Sequence, residues 1–453
     1  MGGDGQLTSG GTRVVAPAEM TAARHRRDAI MTTVTGLAVF GLAFVTGPIL
    51  ARALGPAGRG SVAAVIIPTQ VLGWLLMFGI PQAAAYHARQ YQRRALVMSA
   101  WVVAGAVGLP LVLLAWPFVP ALLDQHPAIT VDYFRAFLLT ALLVLPYVTV
   151  IDQLRGVGRT SAFNFYRAVP TVLNAVSLVA LFAADALTLE RALLAALVSN
   201  LVGWLGTIAV NRAGPGRGFD RAVFRDVASY GGRVWIGTLS TMVVSRFDQF
   251  IMVTLVEPRL LGLYVVAATA AQVTGPIGQG IALSLLPHLR ANDDPVDPTD
   301  DPLDATAGLA DDPVGGSGRN RQRTRTALIW TAAGSGLVAA VGAATAWYLV
   351  PLVYGQAFAG AVPSLLILLP GQVCLDLANV VGAKLEADDR PGAVSTGTAI
   401  AAGLTVALTV PAVVRFSIEG AAAVTTLGQL AFLVYVVRAA GLDDLIGKRE
   451  DGR

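Results

Sequence analysis

The chain has 453 residues, of which 55% are apolar and only 14% charged, and its mean hydropathy is +0.62. A soluble domain carries about 25% charged residues, so most soluble enzymes, nucleic-acid binders and disordered scaffolds are excluded. The basic excess is four charges, 33 Lys and Arg against 29 Asp and Glu, too few over this length to form a nucleic-acid-binding stripe. One cysteine, Cys374, rules out a disulfide framework or a thiolate metal site, and four His leave little for metal chemistry. The class is a polytopic membrane protein, with no catalytic constellation, no cofactor and no metal site expected.

Twelve mostly apolar stretches long enough to cross a bilayer follow in chain order: 29–52, 61–86, 95–122, 134–153, 165–184, 190–211, 230–256, 260–288, 326–353, 360–384, 392–414 and 417–439. Their apolar residues run continuously rather than alternating, which excludes a transmembrane β-barrel. Arg24, His25, Arg26 and Arg27 precede the first stretch as the basic segment of a signal peptide would. Its apolar core is too long for that and no small-residue cleavage site follows, so it reads as a helix. Basic residues test the count, because cytoplasmic loops retain Lys and Arg. With both termini inside, cytoplasmic segments hold 26 of the 33. External loops hold Arg52, Arg59, Arg191, Arg259 and Arg415, basic residues at the edges of the stretches being counted with the adjoining loop, and the remaining two, Arg135 and Arg246, are assigned to spans. The expected fold is all-α, with twelve transmembrane helices.

The chain divides into a cytoplasmic tail (1–28), a six-helix lobe (29–211), a linker (212–228), a second six-helix lobe (229–440) and a tail (441–453). The lobes look related. Pro56 and Pro258, Gly60 and Gly262, and Gln70 and Gln272 share one offset of 202 residues. Six plus six helices in the same orientation fits a parallel repeat related by a pseudo-two-fold, with a substrate site near the midplane between the halves. Segment 291–325 falls outside the repeat, with its run of Asp from Asp293 to Asp312, followed by Arg319, Arg321, Arg323 and Arg325. Its composition predicts a disordered acidic cytoplasmic insert whose basic end anchors the ninth stretch at lipid headgroups.

Charges inside spans cost about 2.5–3.5 kcal/mol at a helix centre and usually face a cavity or a partner. The seventh stretch carries Thr238, Thr241, Ser245, Arg246, Asp248 and Gln249 on one arc. Arg246 and Asp248 are two apart and point away from each other. Each therefore needs a partner on another helix, water or substrate, and both a cavity lining and an interhelical pair satisfy that need. In the tenth stretch Gln372, Asp376 and Asn379 share a face, with Asp376 near mid-membrane. It is either a proton-coupling carboxylate or a structural one bonded to neighbouring helices. Asp152 falls near the cytoplasmic interface. Arg135 has Asp132 three residues before it, which suits a helix-end pair or a ligand contact, and Arg52 can snorkel. Pro48, Pro110, Pro146, Pro170, Pro276, Pro351 and Pro370 predict kinks. There is no Walker motif, hence no built-in ATP motor, and no large external loop for a membrane glycosyltransferase.

The segments Ala51-Arg52-Ala53-Leu54-Gly55-Pro56-Ala57-Gly58-Arg59-Gly60, Phe78-Gly79-Ile80-Pro81-Gln82, Arg155-Gly156-Val157-Gly158-Arg159 with Asn164, Phe247-Asp248-Gln249 and Leu261-Gly262-Leu263-Tyr264 resemble bacterial oligosaccharide flippases of the polysaccharide biosynthesis transporter family. That family shares a superfamily with the multidrug and toxin extrusion proteins, and the similarity covers about 30–440. Two departures stand out: the long insert 291–318, and Glu386-Ala387-Asp388-Asp389-Arg390-Pro391, where such proteins often have a Gly-x-Gly-Arg turn. The resemblance implies a non-enzymatic, multi-pass protein of the bacterial cytoplasmic membrane. It would flip an undecaprenyl-pyrophosphate-linked oligosaccharide by alternating access, among membrane lipids and alongside a polysaccharide polymerase and glycosyltransferases. Arg246, with Arg52 and Arg135 as weaker candidates, would contact pyrophosphate or sugar, and Asp248 and Gln249 would bond sugar or orient Arg246. Asp376, then Asp152, would couple H+ or Na+. The competing function is a cation-coupled exporter of small amphipathic cations.

Overall fold

The computed structural model describes residues 17–216, 218–290 and 316–441. Among them there is no strand, and nine helices are long and apolar enough to cross a membrane. In chain order they build α1 (Pro17–Leu75), α2 (Ile80–Tyr86), α3 (Arg93–Val103), α4 (Leu109–Ala115), α5 (Val119–Leu122), α6 (Ala128–Gly156), α7 (Thr160–Ala183), α8 (Leu189–Val210), α9 (Arg221–Leu255), α10 (Pro258–Ala271), α11 (Gly275–Arg290), α12 (Gly316–Tyr354), α13 (Val362–Ala387) and α14 (Pro391–Ala440). Large apolar side chains such as Leu113, Leu114, Val176, Leu337 and Val414 are more than half exposed. In a soluble protein such a surface would aggregate; here it is the face offered to lipid.

Several expected boundaries shift, each for a local reason. The first two apolar stretches form one long helix, α1, broken at Gly55 (φ 66°, ψ −179°), a backbone conformation open essentially to glycine alone. The last two form α14, broken at Ser417 (φ 55°). The second stretch does not run to 86: it stops at Leu75, and Phe78 and Gly79 take positive φ before α2 begins. Pro110 and Pro276 do mark irregularities, a π-turn at Ala104–Gly108 and a 3-10 turn at Gln272–Thr274, where backbone rearranges around a missing N–H. The linker is shorter than expected, because Asp220 accepts from the N–H groups of Ala222 and Val223 and starts α9 there. Of the acidic insert, 291–315 lies outside the described residues. Gly316–Arg325, expected to be disordered, instead forms the first turns of α12.

The helix α9 packs on different partners along its length. Its first part packs on α2: Val223 and Val227 share a core with Ile80 and Ala83, Trp235 stacks on Phe78 and Tyr230 on Tyr86. A Cβ on Gly79 would sit 2.1 Å from the Gly231 carbonyl, so backbone meets backbone. Its later part packs on α14, where Val244 joins Phe432 and Val436. At the opposite end of the molecule, about 22 Å along α1 from its end at Leu75, α1 crosses α10. A Cβ on Gly60 would lie 1.8 Å from the Pro258 carbonyl, and one on Gly262 would lie 1.9 Å from the Pro56 carbonyl. The two glycine–proline pairs related by the 202-residue offset therefore meet each other reciprocally. Beside this crossing, His126 is buried with its Nδ1 3.3 Å from Ser61 Oγ. Burial pushes its imidazole below the ordinary value, partly offset by the Val253 carbonyl and Asp124.

Candidate functional site

A cavity of about 820 Å³ opens between α1, with Arg167 of α7, and the bundle formed by α9, α10, α11, α13 and α14. Its lining is mixed. Phe40, Trp74, Leu368 and Phe432 supply apolar wall, while Arg246, Gln249, Gln272, Gln279, Gln372, Asn379 and Gln429 supply polar groups. The three neighbouring residues of α9 expected at the site do converge there: Arg246, Asp248 and Gln249 all line the cavity.

Their roles divide because successive helix positions turn by about 100°. Asp248 points into the bundle and is 3% exposed. Its carboxylate accepts from the Tyr264 hydroxyl on α10, from Thr425 Oγ1 on α14 (3.0 Å) and from the Gln249 N–H (2.7 Å). Three donors offset the desolvation of a buried carboxylate and tie three helices together. Arg246 lies on the other side of the arc, half-buried. Its side-chain hydrogen bond is to Gln249 Oε1 on the same helix, at 3.3 Å. Most of its donor fork therefore remains directed at the cavity. The two readings left open for these residues divide between them: Asp248 bonds to two other helices, through Tyr264 and Thr425, whereas Arg246 lines the cavity and forms no salt bridge among the described residues.

In α13, Gln372 and Asn379 line the cavity, whereas Asp376, fully buried, turns behind them. It accepts from Ser335 Oγ on α12 (2.8 Å) and from Gln372 Nε2 (3.4 Å). Gly278 makes room for it, since a Cβ there would lie 2.6 Å from Asp376 Cβ.

The remaining predicted residues lie elsewhere. Arg52 is exposed and donates to the carbonyls of Leu352 and Val353 at the end of α12, so that α1 caps that helix. Arg135 does not pair with Asp132; its guanidinium sits 5.5 Å over the Trp116 ring. Asp152 pairs with Arg155 at 3.2 Å, one helical turn on. None of the three lines the cavity.

Some participants were not singled out from sequence. Arg167, counted with a cytoplasmic loop, lines the cavity. Arg59, counted with an external loop, lies within electrostatic range of Arg246 and of Tyr354, and its Nε is buried without a partner. In the sequence Tyr264 stands out only within a segment of family resemblance, and Thr425 and Ser335 read as ordinary residues of apolar helices. Only their convergence on Asp248 and Asp376 gives them a role, and that information is tertiary.

The overall fold is shared with solved membrane transporters. An inward-facing multidrug resistance MATE family transporter of the MOP superfamily is 14% identical and superposes with a TM-score of 0.65, covering 91% of this chain and 96% of its own. The lipid II flippase MurJ in an inward closed conformation is 10% identical, with a TM-score of 0.67 and coverage of 92% and 89%. A MOP superfamily transporter from Pyrococcus furiosus is 16% identical, with a TM-score of 0.53 and coverage of 93% and 95%. At these identities the likeness is one of fold. No curated protein matches the sequence. The sequence profile described as polysaccharide biosynthesis protein matches residues 25–288, well over half of the chain, and with the helical membrane architecture above it the protein belongs to the polysaccharide biosynthesis protein family.

Proposed function

We propose that the protein flips a lipid-linked oligosaccharide, carried on undecaprenyl pyrophosphate, across the bacterial cytoplasmic membrane by alternating access. The observation that carries this reading is the charge of the cavity. Among the described residues its charged lining is Arg167, Arg246 and Asp248, and the one carboxylate is already engaged by three donors. A net positive, polar cavity beside apolar wall suits a pyrophosphate and sugars, while the lipid tail stays in the bilayer. Arg246 would hold the pyrophosphate, Gln249 would orient Arg246, and Asp376 would be the coupling carboxylate for H+ or Na+. A cation exporter would need its acids free, which argues against the competing reading.

The proposed architecture has twelve spans in two six-helix lobes, with both termini cytoplasmic. Dividing the two helices broken at Gly55 and Ser417 and adding α9 brings the nine apolar helices to twelve, which supports the count. The reciprocal Gly60–Pro258 and Gly262–Pro56 contacts support the pseudo-two-fold.

Deleting the gene should leave lipid-linked repeat units facing the cytoplasm and stop surface polysaccharide assembly; unchanged surface glycan would sink the reading. Arg246→Ala should abolish flipping while membrane insertion is retained. Normal complementation by that variant would refute its assignment, and a changed drug-susceptibility profile without a glycan defect would favour the exporter.

A further inference from the structure

A second cavity, of about 470 Å³, lies at the basic face of the first half, away from the central one. Gln92, Arg93, Arg94 and Val97 from the start of α3 line one side, and Arg212, Ala213 and Gly214 just beyond the end of α8 line the other. Three guanidiniums therefore surround one pocket. None of them pairs with a carboxylate among the described residues. The walls are built rather than incidental. The Trp101 indole N–H donates to the Ala213 carbonyl at 2.8 Å, fixing the two segments to each other.

Arg212 itself is held in place by backbone. It has φ 51°, and the bonds Ala213 N–H to Ile208 O and Arg212 N–H to Ala209 O close α8 in the pattern that glycine usually completes. Arginine occupies the position with its side chain exposed at the pocket. On the opposite wall no side chain caps the N-terminus of α3, so its first-turn N–H groups add to the positive potential. The aliphatic stem of Arg94 runs along Gly218, 3.3 Å from where a Cβ would stand, which leaves its guanidinium at the mouth.

Like charges gathered around a concave site at the ends of spans are the arrangement that binds phosphate headgroups. We propose that this pocket binds the phosphate of an anionic phospholipid headgroup, and that the bound phosphate pins the segment after α8 to the start of α3. The lipid is favoured over a soluble phosphate because the pocket sits where α3 begins and α8 ends, at the boundary of the two apolar spans Arg93–Leu122 and Leu189–Val210. This inference concerns residues outside the central cavity and stands independently of the flipping reading.

The test uses the full chain in nanodiscs of phosphatidylcholine with or without phosphatidylglycerol, reading the unfolding midpoint and the phosphatidylglycerol retained by native mass spectrometry. The wild type should retain the anionic lipid and unfold at a higher temperature with it. Each of Arg93→Gln, Arg94→Gln and Arg212→Gln should weaken retention about fivefold, while Arg390→Gln, exposed and outside the pocket, should not. Inorganic phosphate added to phosphatidylcholine discs distinguishes the sources: an equal shift, lost in the same variants, assigns the pocket to a soluble phosphate. Should the glutamine variants fail to fold, a photoactivatable phosphatidylglycerol on the wild type must label 92–97 or 212–216. Equal stability in both lipids, with no phosphate effect and no labelling there, overturns the proposal.

Discussion

The crossing of α1 and α10 at Gly60 and Gly262 gives the most direct test of the fold. A Cβ added at Gly60 would stand 1.8 Å from the Pro258 carbonyl oxygen and 3.0 Å from the Gly262 nitrogen. Ordinary contact begins near 3.4 Å, so the helices must separate by roughly 1.5 Å. The obstacle is backbone, so no side chain can rotate away. Overpacking of this kind costs about 1–3 kcal/mol, and 1.4 kcal/mol is a factor of ten. Each of Gly60→Ala and Gly262→Ala should thus lower the population closed at this end by about fivefold to a hundredfold. In open space the same change in a helix would stabilise by up to about 1 kcal/mol, so the sign is diagnostic. Spin labels at Ala57 and Arg259, both exposed and on opposite halves, in a Cys374→Ser background would report the separation. A longer mean distance and a lowered thermal midpoint are expected. An unchanged distance with a raised midpoint would refute the crossing.

Three further outcomes follow from the packing. Tyr264→Phe removes a donor from the buried Asp248 carboxylate and should cost about 1.5–3 kcal/mol; in a double-mutant cycle with Thr425→Val the two should couple by at least about 0.5 kcal/mol, and additivity would separate them. Gly278→Ala brings a Cβ to 2.6 Å from Asp376 Cβ, so a net loss of thermal stability is expected despite the helix-propensity gain, and a gain would show that Asp376 packs elsewhere. His126 is held neutral by burial, so its folded-state value lies below the unfolded one. Its contribution is therefore full above pH ~6.5 and lost as pH falls through the lowered value; the midpoint should drop on mild acidification, and His126→Gln should flatten that dependence.

Much of this was legible in the sequence, and the residues show why. Span positions are encoded by composition, because hydrocarbon tolerates only long apolar helices. The offset of 202 residues picked out Pro56, Gly60, Pro258 and Gly262, and these are the residues that meet. What could not be read was orientation around each helix and partner choice. Asp376 and Asn379 share a face by arithmetic, yet one enters the cavity lining and the other is buried against Ser335. Arg135 has an acid one turn away but sits over Trp116, since an exposed ion pair gains little and a ring contact is as good. Where helix ends depend on a single cap or a positive φ, as at Asp220 and Phe78, hydropathy is silent.

The way the Gly60–Gly262 end is held shut bears on how such a molecule could cycle. It uses two close backbone crossings, the Arg52 bonds to the α12 carbonyls and the Ser61–His126 contact. Among the described residues no salt bridge spans it. Hydrogen bonds of this kind contribute about 0.5–1.5 kcal/mol each net, and up to about 3 where a charge donates, so the polar part of the closure is worth a few kcal/mol, beside the apolar packing of Val62 and Val65 with Leu261 and Leu263. A ligand that binds one state 10⁴-fold more tightly supplies about 5.5 kcal/mol. A cargo with that preference, held at Arg246, would offset the polar contacts that keep this end closed. Strengthening the closure should consequently trap the protein: a disulfide between cysteines introduced at Ala57 and Arg259 is expected to stop polysaccharide assembly until reduced. Full activity with the bond formed would show that this end need not open.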